Sequence, residues 1–377
     1  MTSKTILIFL FVIYSNTIVQ AESFFPLGQL SKVDQRDYWL PNEVNSTKLT
    51  SQFEQLVNSP VAPIQYHSTI NIALIYPSAD ISDFWRRSYL ALVRRLAALG
   101  IEVNTVEFKS RQVEHSLQTQ YINEVLTRSK EFDFVIFGPS ELSLQLKNIE
   151  RLALNQDFET FIWAFHTPYK SLAKQPRMWV DFSSSQGAKH LCDYLINRLG
   201  KSIKFAMNRG IPGITDQQRS GMFKQCVEEQ GDWQIVYEHF GQYQARGGED
   251  GTNLIKEHYP EVTFIHNANT AMTLGSINAL TENKNEQESH IMLSGWGGTG
   301  LELEMLRQGK LTATPVRLND DLGVATAEAI KLTLLQRSDE LPLVYLGRIR
   351  VGNDNMSVEQ IDELQNHAFR YSGVKNK

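Results

Sequence analysis

Several things are scarce in this 377-residue sequence, and each scarcity removes a class of protein. Past residue 21 no apolar run approaches the about 20 residues that a helix needs to cross a bilayer. Positive charge is in deficit. With 37 Lys+Arg against 42 Asp+Glu the net charge is −5, and with no basic stripe the chain offers nucleic acid no electrostatic footprint. Cysteine occurs only at positions 192 and 226, both in helix-like stretches. Export would permit a bridge between Cys192 and Cys226, but a core of this size does not require one, so two buried thiols are the expectation. Catalytic signatures are missing as well: there is no G-x-S-x-G nucleophile elbow, and none of the nine histidines sits in an H-E-x-x-H pair. His166, after the run "TFIWAF", is the one candidate general base. Without an obvious nucleophile partner it reads as a polar residue lining a strand end, and the chain is not expected to be an enzyme.

What is present begins at the N-terminus. "MTSKTILIFLFVIYSNTIVQAES" combines Lys4, an apolar stretch from Ile6 to Tyr14 and a small-residue site at Val19-Gln20-Ala21. It reads as a signal peptide over residues 1–21, cleaved after Ala21, which would direct the mature chain to an exported compartment with no membrane insertion. Residues 22–68 form a polar arm with one amphipathic stretch, "STKLTSQFEQLVNS", closed by Pro60 and Pro63. From Asn71 the runs "NIALIYP", "FDFVIFG", "TFIWAF", "IKFAM", "VTFIHN" and "HIMLS" alternate with helical patterns. These runs lack polar alternation, as strands buried on both faces do. In the first helical pattern Tyr89, Leu92, Val93, Leu96 and Leu99 recur at three- and four-residue spacing before Gly100.

Repeated strand–helix units define an α/β doubly wound fold. About ten strands are too many for one comfortable sheet, so we expect two consecutive parallel sheets, each the centre of its own lobe. "MWVDFSSSQGAKHL" marks the first passage between them.

Gly295, Gly297 and Gly300 in "SGWGGTG" fit G-x-G-x-x-G, and Asp320 stands about twenty positions on, as in a dinucleotide-binding fingerprint. Trp296 argues against that reading, because a bulky ring occupies the turn where the backbone must approach a phosphate. The following helix is also short. The same residues suit one wall of a small-molecule cleft, since ligands of open α/β sheets bind beyond the carboxyl ends of the strands. "YPSADISDFW", "HNANT", "GW" and "VRLNDD" all follow apolar runs and carry large or charged groups. Asp83 reads as a helix-start carboxylate, Arg86 and Arg87 as a solvated face, and Arg317 as either a cleft residue or a partner of Asp320 or Asp321.

Four stretches, "YPSADISDFWRR", "GWGGTGLELEMLRQGKL", "VRLNDDLGVATAEAIK" and "HAFRYSG", resemble the ribose-binding branch of the periplasmic binding proteins. Within that branch they are most similar to the LuxP-like autoinducer-2 receptors. The resemblance implies the periplasmic binding protein type I architecture, two doubly wound parallel-sheet lobes joined by a hinge, with residues 69–181 plus 318–346 in the N-terminal lobe and 182–317 plus 347–377 in the C-terminal lobe. It also implies a periplasmic receptor for a small sugar-like signal that controls a membrane-bound hybrid sensor kinase in quorum sensing. The alternative is the sugar-binding component of an ABC transporter. No cofactor is implied, although the ligand of such receptors can be a borate diester.

Carried over residue by residue, the resemblance implies ligand contacts at Ser82, Trp85, Arg219, Thr270, Trp296 and Arg317. Asn269 is similar to an asparagine of the sugar-binding relatives. Three positions depart: Asp80 stands where the family has Gln, Ala164 where it has Asn, and Ala271 where it has Asp. The carboxylate has thus moved rather than vanished. An ionised carboxylate accepts hydrogen bonds and cannot donate them, so Asp80 is expected to repel a borate anion and to favour hydroxyl or ammonium donors.

Overall fold

The computed structural model describes residues 37–79, 81–282 and 291–373. The expected signal peptide, the first part of the arm and the site candidate Asp80 lie outside the described residues. Two six-stranded sheets form the body. The first contains β1 (Ile70–Tyr76), β2 (Val103–Lys109), β3 (Phe134–Phe137), β4 (Glu159–Trp163), β5 (Met178–Phe182) and β11 (Val344–Gly347), in the order β11-β5-β4-β3-β1-β2. The second contains β6 (Ser202–Arg209), β7 (Asp232–Phe240), β8 (Phe264–Asn267), β9 (Met292–Ser294), β10 (Ala313–Arg317) and β12 (Ile349–Asn353), in the order β12-β10-β9-β8-β6-β7. Every pairing is parallel except β10 with β12. The central strand β3 is buried at every residue, which is why its sequence runs apolar without alternation; β5 is buried throughout as well but carries Asp181.

Helices cover both faces of each sheet. In the helix Phe84–Ala98 the buried positions Phe84, Trp85, Ser88, Ala91, Leu92, Arg95 and Leu96 follow the helical period; Tyr89 and Val93 lie half-buried at the edge of that stripe. Gly100 takes φ of 77°, the left-handed conformation that ends the helix and returns the chain to the sheet. Arg87, expected in a solvated face, instead pairs with Asp83 at 2.5 Å and lies 3.8 Å from the Phe369 ring, because the C-terminal helix packs beside it.

The chain passes between the lobes three times: between β5 and the helix Ser184–Leu199, between β10 and the helix Asp320–Leu334, and between β11 and β12. Asp321 ties the second and third of these crossings to each other and to the C-terminal stretch. It is fully buried and accepts from Arg348 at 2.9 Å and Arg370 at 2.6 Å. Burial alone would raise its pKa, but the two guanidiniums outweigh burial and hold it below the usual carboxylate range. The "HAFRYSG" stretch is the other tie, with the backbone N–H groups of Tyr371 and Ser372 donating to Asp320 at 2.5 and 2.7 Å.

The described part of the arm lies on the first lobe. Its helix Thr47–Asn58 buries Phe53 and Val57 in that lobe's core. Asn45 donates from Nδ2 to the Val344 carbonyl at 2.6 Å and accepts from the Val344 N–H at 3.3 Å, satisfying the edge strand β11.

Cys192 and Cys226 form a disulfide, which corrects the expectation of two buried thiols. The helices Ser184–Leu199 and Met222–Gln230 pack into one hydrophobic cluster of the second lobe, and that packing brings the two sulfurs together.

Candidate functional site

A cavity of about 690 Å³, open solvent at its mouth included, lies between the lobes and is lined from both. The segments beyond the strand ends build it. Pro77, Ser82 and Trp85 follow β1, Gln112 follows β2, Ser140 and Glu141 follow β3, and Ala164 and Phe165 follow β4. From the second lobe come Thr215 and Arg219 after β6, Tyr243 after β7, Asn269 and Ala271 after β8, and Arg317 at the end of β10. Of the residues expected from the sequence, the structure therefore gathers Ser82, Trp85, Ala164, Arg219, Asn269 and Arg317 around one space.

Trp296 and Thr270 are not in that wall. Trp296 is 2% exposed and belongs to the second lobe's core, where its ring fills the space that a side chain at Gly187 would need. It lies 5.6 Å below the Arg219 guanidinium and acts as a floor for that residue. Thr270 is buried beside Arg317 and Gly297, with its hydroxyl unpartnered.

The two arginines hold most of the charge. Arg317 is 7% exposed, stacks at 3.8 Å on Phe84 and, among the described residues, its side chain reaches only the Gly297 carbonyl at 3.5 Å. Burial, reinforced by the neighbouring Arg219, pushes its pKa down to about 9, so it remains charged at neutral pH. Arg219 sits on a single π-helical turn, Gln217–Gly221, of a kind often found at functional sites. It donates to the Ala268 carbonyl at 3.3 Å and lies near the Tyr243 ring. Among the described residues neither guanidinium has a carboxylate partner. Arg317 does not pair with Asp320 or Asp321, which are engaged at the hinge.

The glycine-rich loop has an internal purpose. The N–H groups of Trp296 and Gly298 donate to the buried carboxylate of Glu302 at 3.0 and 2.6 Å, and the hydroxyls of Thr273 and Thr314 donate at 3.0 and 3.1 Å. Burial raises the Glu302 pKa despite these bonds. A side chain at Gly295 would strike Glu302, one at Gly297 would strike Arg317, and Gly298 takes φ of 59° against Val316. The turn that resembles a phosphate cradle is thus filled by the chain's own carboxylate.

Gln112, Glu141 and Tyr243 are among the cavity residues that escaped the sequence reading. Each lies just past a strand end, so the rule that found the others would have found them had it been applied to β2, β3 and β7. His166 has Nδ1 2.7 Å from Asp181 Oδ2 and lies outside the cavity wall.

Two parallel-sheet lobes, crossed three times by the chain and closing on a polar cavity, define a cleft-binding protein. Residues 72–335 match the family described as periplasmic binding protein domain, and the chain belongs to that family. Similar solved structures are an ABC transporter solute binding protein from Agrobacterium vitis with bound D-fucose (TM-score 0.67, 17% identity, 78% of this chain and 99% of that one) and a periplasmic solute binding protein from Actinobacillus succinogenes 130z with bound D-allose (TM-score 0.63, 19% identity, 78% and 99%). In sequence, the ribose import binding protein RbsB of Escherichia coli (strain K12) is 27% identical over 143 residues, 38% of this chain and 47% of that protein. The chain therefore spans about half the length of the curated relatives it matches. Among the described residues no helix is long and apolar enough to cross a membrane.

Proposed function

We propose that this chain captures a small, oxygen-rich, sugar-like ligand between its lobes in the periplasm and passes the closed form to a membrane complex. The observation that carries the reading is the pair Arg219 and Arg317 in the cavity, buried or half-buried and, among the described residues, without a carboxylate partner. A buried guanidinium left uncompensated is costly. A ligand with vicinal oxygens, such as autoinducer-2 or a related polyol, would supply the missing acceptors.

For the membrane partner, delivery of a sugar to an ABC permease is supported by the solved relatives, which are ABC transporter solute binding proteins. Signalling through a hybrid sensor kinase is the second reading, and the "HAFRYSG" tail, fastened across the hinge, favours it. Mass spectrometry of the ligand released by denaturing the purified protein tests the ligand class, and recovery of an apolar molecule or a peptide would refute it. Co-purification with a permease or with a kinase periplasmic domain separates the two partners. Titration with the autoinducer precursor, with and without boric acid, tests Asp80. Borate should not strengthen binding in the parent, and Asp80→Gln with Ala271→Asp should make it do so.

A further inference from the structure

Glu141 belongs to the first lobe, at the start of the helix Leu142–Leu154. Its neighbours across the cleft, Gly213 and Ile214, belong to the loop after β6 in the second lobe. Ile214 is 3% exposed and sits in a cluster whose other members are all first-lobe or arm residues, Leu142, Phe137 and Phe165 among them. The Glu141 carboxyl lies against Gly213 so closely that a Cβ there would stand 2.5 Å from Oε1. The second lobe thus plugs the first at a point remote from the hinge, and the Glu141 carboxyl is shut beneath the plug, 2% exposed, with Oε1 unpartnered.

We propose that Glu141 and the Gly213–Ile214 loop form a proton-linked latch, in which the lobes close with Glu141 protonated and reopen as it ionises. The inference goes beyond ligand capture, and its tests need no ligand. An ionised carboxylate cannot be stripped of water and left unpaired without a large cost, so the buried form is the neutral one. The surroundings agree. Burial, acting against the nearby N–H groups of Leu142, Ser143 and Ile214, pushes the Glu141 pKa up to about 8, and the charge of Asp216 pushes the same way.

The other groups facing this corner are accounted for. Asp216 is held by Arg209 at 2.5 Å and by the Gly210 N–H at 3.0 Å. Tyr169 and Tyr243 have their pKa values raised, chiefly by burial, and are neutral over the relevant range. Arg219 stands across the cavity and is cationic. His115, 2.6 Å from the Ser140 hydroxyl, has its pKa lowered by burial and is neutral above pH 7.

The sign follows from linkage. The closed state binds the Glu141 proton more tightly than the open state, so closure is favoured as pH falls below about 8 and loses this contribution above it. With the open-state carboxyl near 4.5, the closed-to-open ratio should drop about tenfold between about pH 7 and about pH 9.

Spin labels at Leu154→Cys and Asn253→Cys, exposed positions on the first and second lobes, read that ratio in the full chain without ligand. The parent should show the drop and Glu141→Gln should be flat. In glutamate-labelled protein the 13C shift of the Glu141 carboxyl should titrate well above the ordinary carboxyl range, and Ile214→Ser should bring it back. A parent carboxyl titrating in the ordinary range, or a Glu141→Gln protein with the parent's pH slope, overturns the latch. Because no ligand is added, neither result bears on the ligand class.

Discussion

At Ala164 the backbone takes φ of 64°, a left-handed conformation that costs an alanine about 1 kcal/mol and that asparagine tolerates better. The position is fixed by the chain around it, since the Ala164 N–H donates to the Val180 carbonyl at 2.9 Å. Ala164→Asn should therefore raise stability by about 0.5–1 kcal/mol, read as a higher urea midpoint, while placing an amide in the cavity wall; a lower midpoint would mean that the site has no room for the longer side chain. The arginines follow a different logic. Each is positioned by stacking and by weak carbonyl contacts, which leaves its donors for a ligand. Arg219→Ala and Arg317→Ala should each weaken binding of the ligand recovered from the protein by about 2–4 kcal/mol. Calorimetry showing both variants within about threefold of the parent would remove the pair from the site.

At the scale of elements, the disulfide joins the helix that opens with Ser184 to the helix that directly follows the π turn bearing Arg219. It closes a loop with a sequence separation of 34, for which chain entropy gives about 3–4 kcal/mol of stabilisation. Cys192→Ala with Cys226→Ala should lose roughly that amount in equilibrium unfolding, and a loss below about 1 kcal/mol would mean that packing alone holds the two helices. The glycine loop is an element of the same kind. Its backbone donors converge on Glu302, so its rigidity comes from an internal carboxylate rather than from a bound phosphate.

Over the whole molecule, the lobes are held at two distant places, the hinge and the Ile214 plug. At the hinge, the folded-state pKa of Asp321 lies below the ordinary carboxylate value. Its contribution is therefore complete above about pH 4 to 5 and is lost as pH falls through the folded pKa. Asp321→Asn should cost about 2–4 kcal/mol at pH 7, somewhat under the figure for a fully buried pair because Arg348 and Arg370 remain partly exposed. The gap between parent and variant should narrow toward pH 3. An equal gap at both values, measured by urea unfolding, would show that the side chain matters there for shape rather than charge.

The sequence by itself determined the class of fold and the direction in which the site lies. Short apolar runs without alternation, bounded by turn residues and alternating with helices at the 3.6-residue period, read as strands covered on both faces by those helices, and ligands of such sheets sit beyond the carboxyl ends of the strands. Those are local regularities, legible residue by residue. Tertiary structure decided what depends on distance across the chain: that Cys192 meets Cys226, that Trp296 is a floor under Arg219 rather than part of the cavity wall, that Asp321 is taken by Arg348 and Arg370 and so leaves Arg317 free for the cavity, and that Glu141 is buried by a loop about seventy residues away. Burial and pairing of a side chain are properties of its neighbours in space, and no periodicity in the sequence records which lobe will close over it.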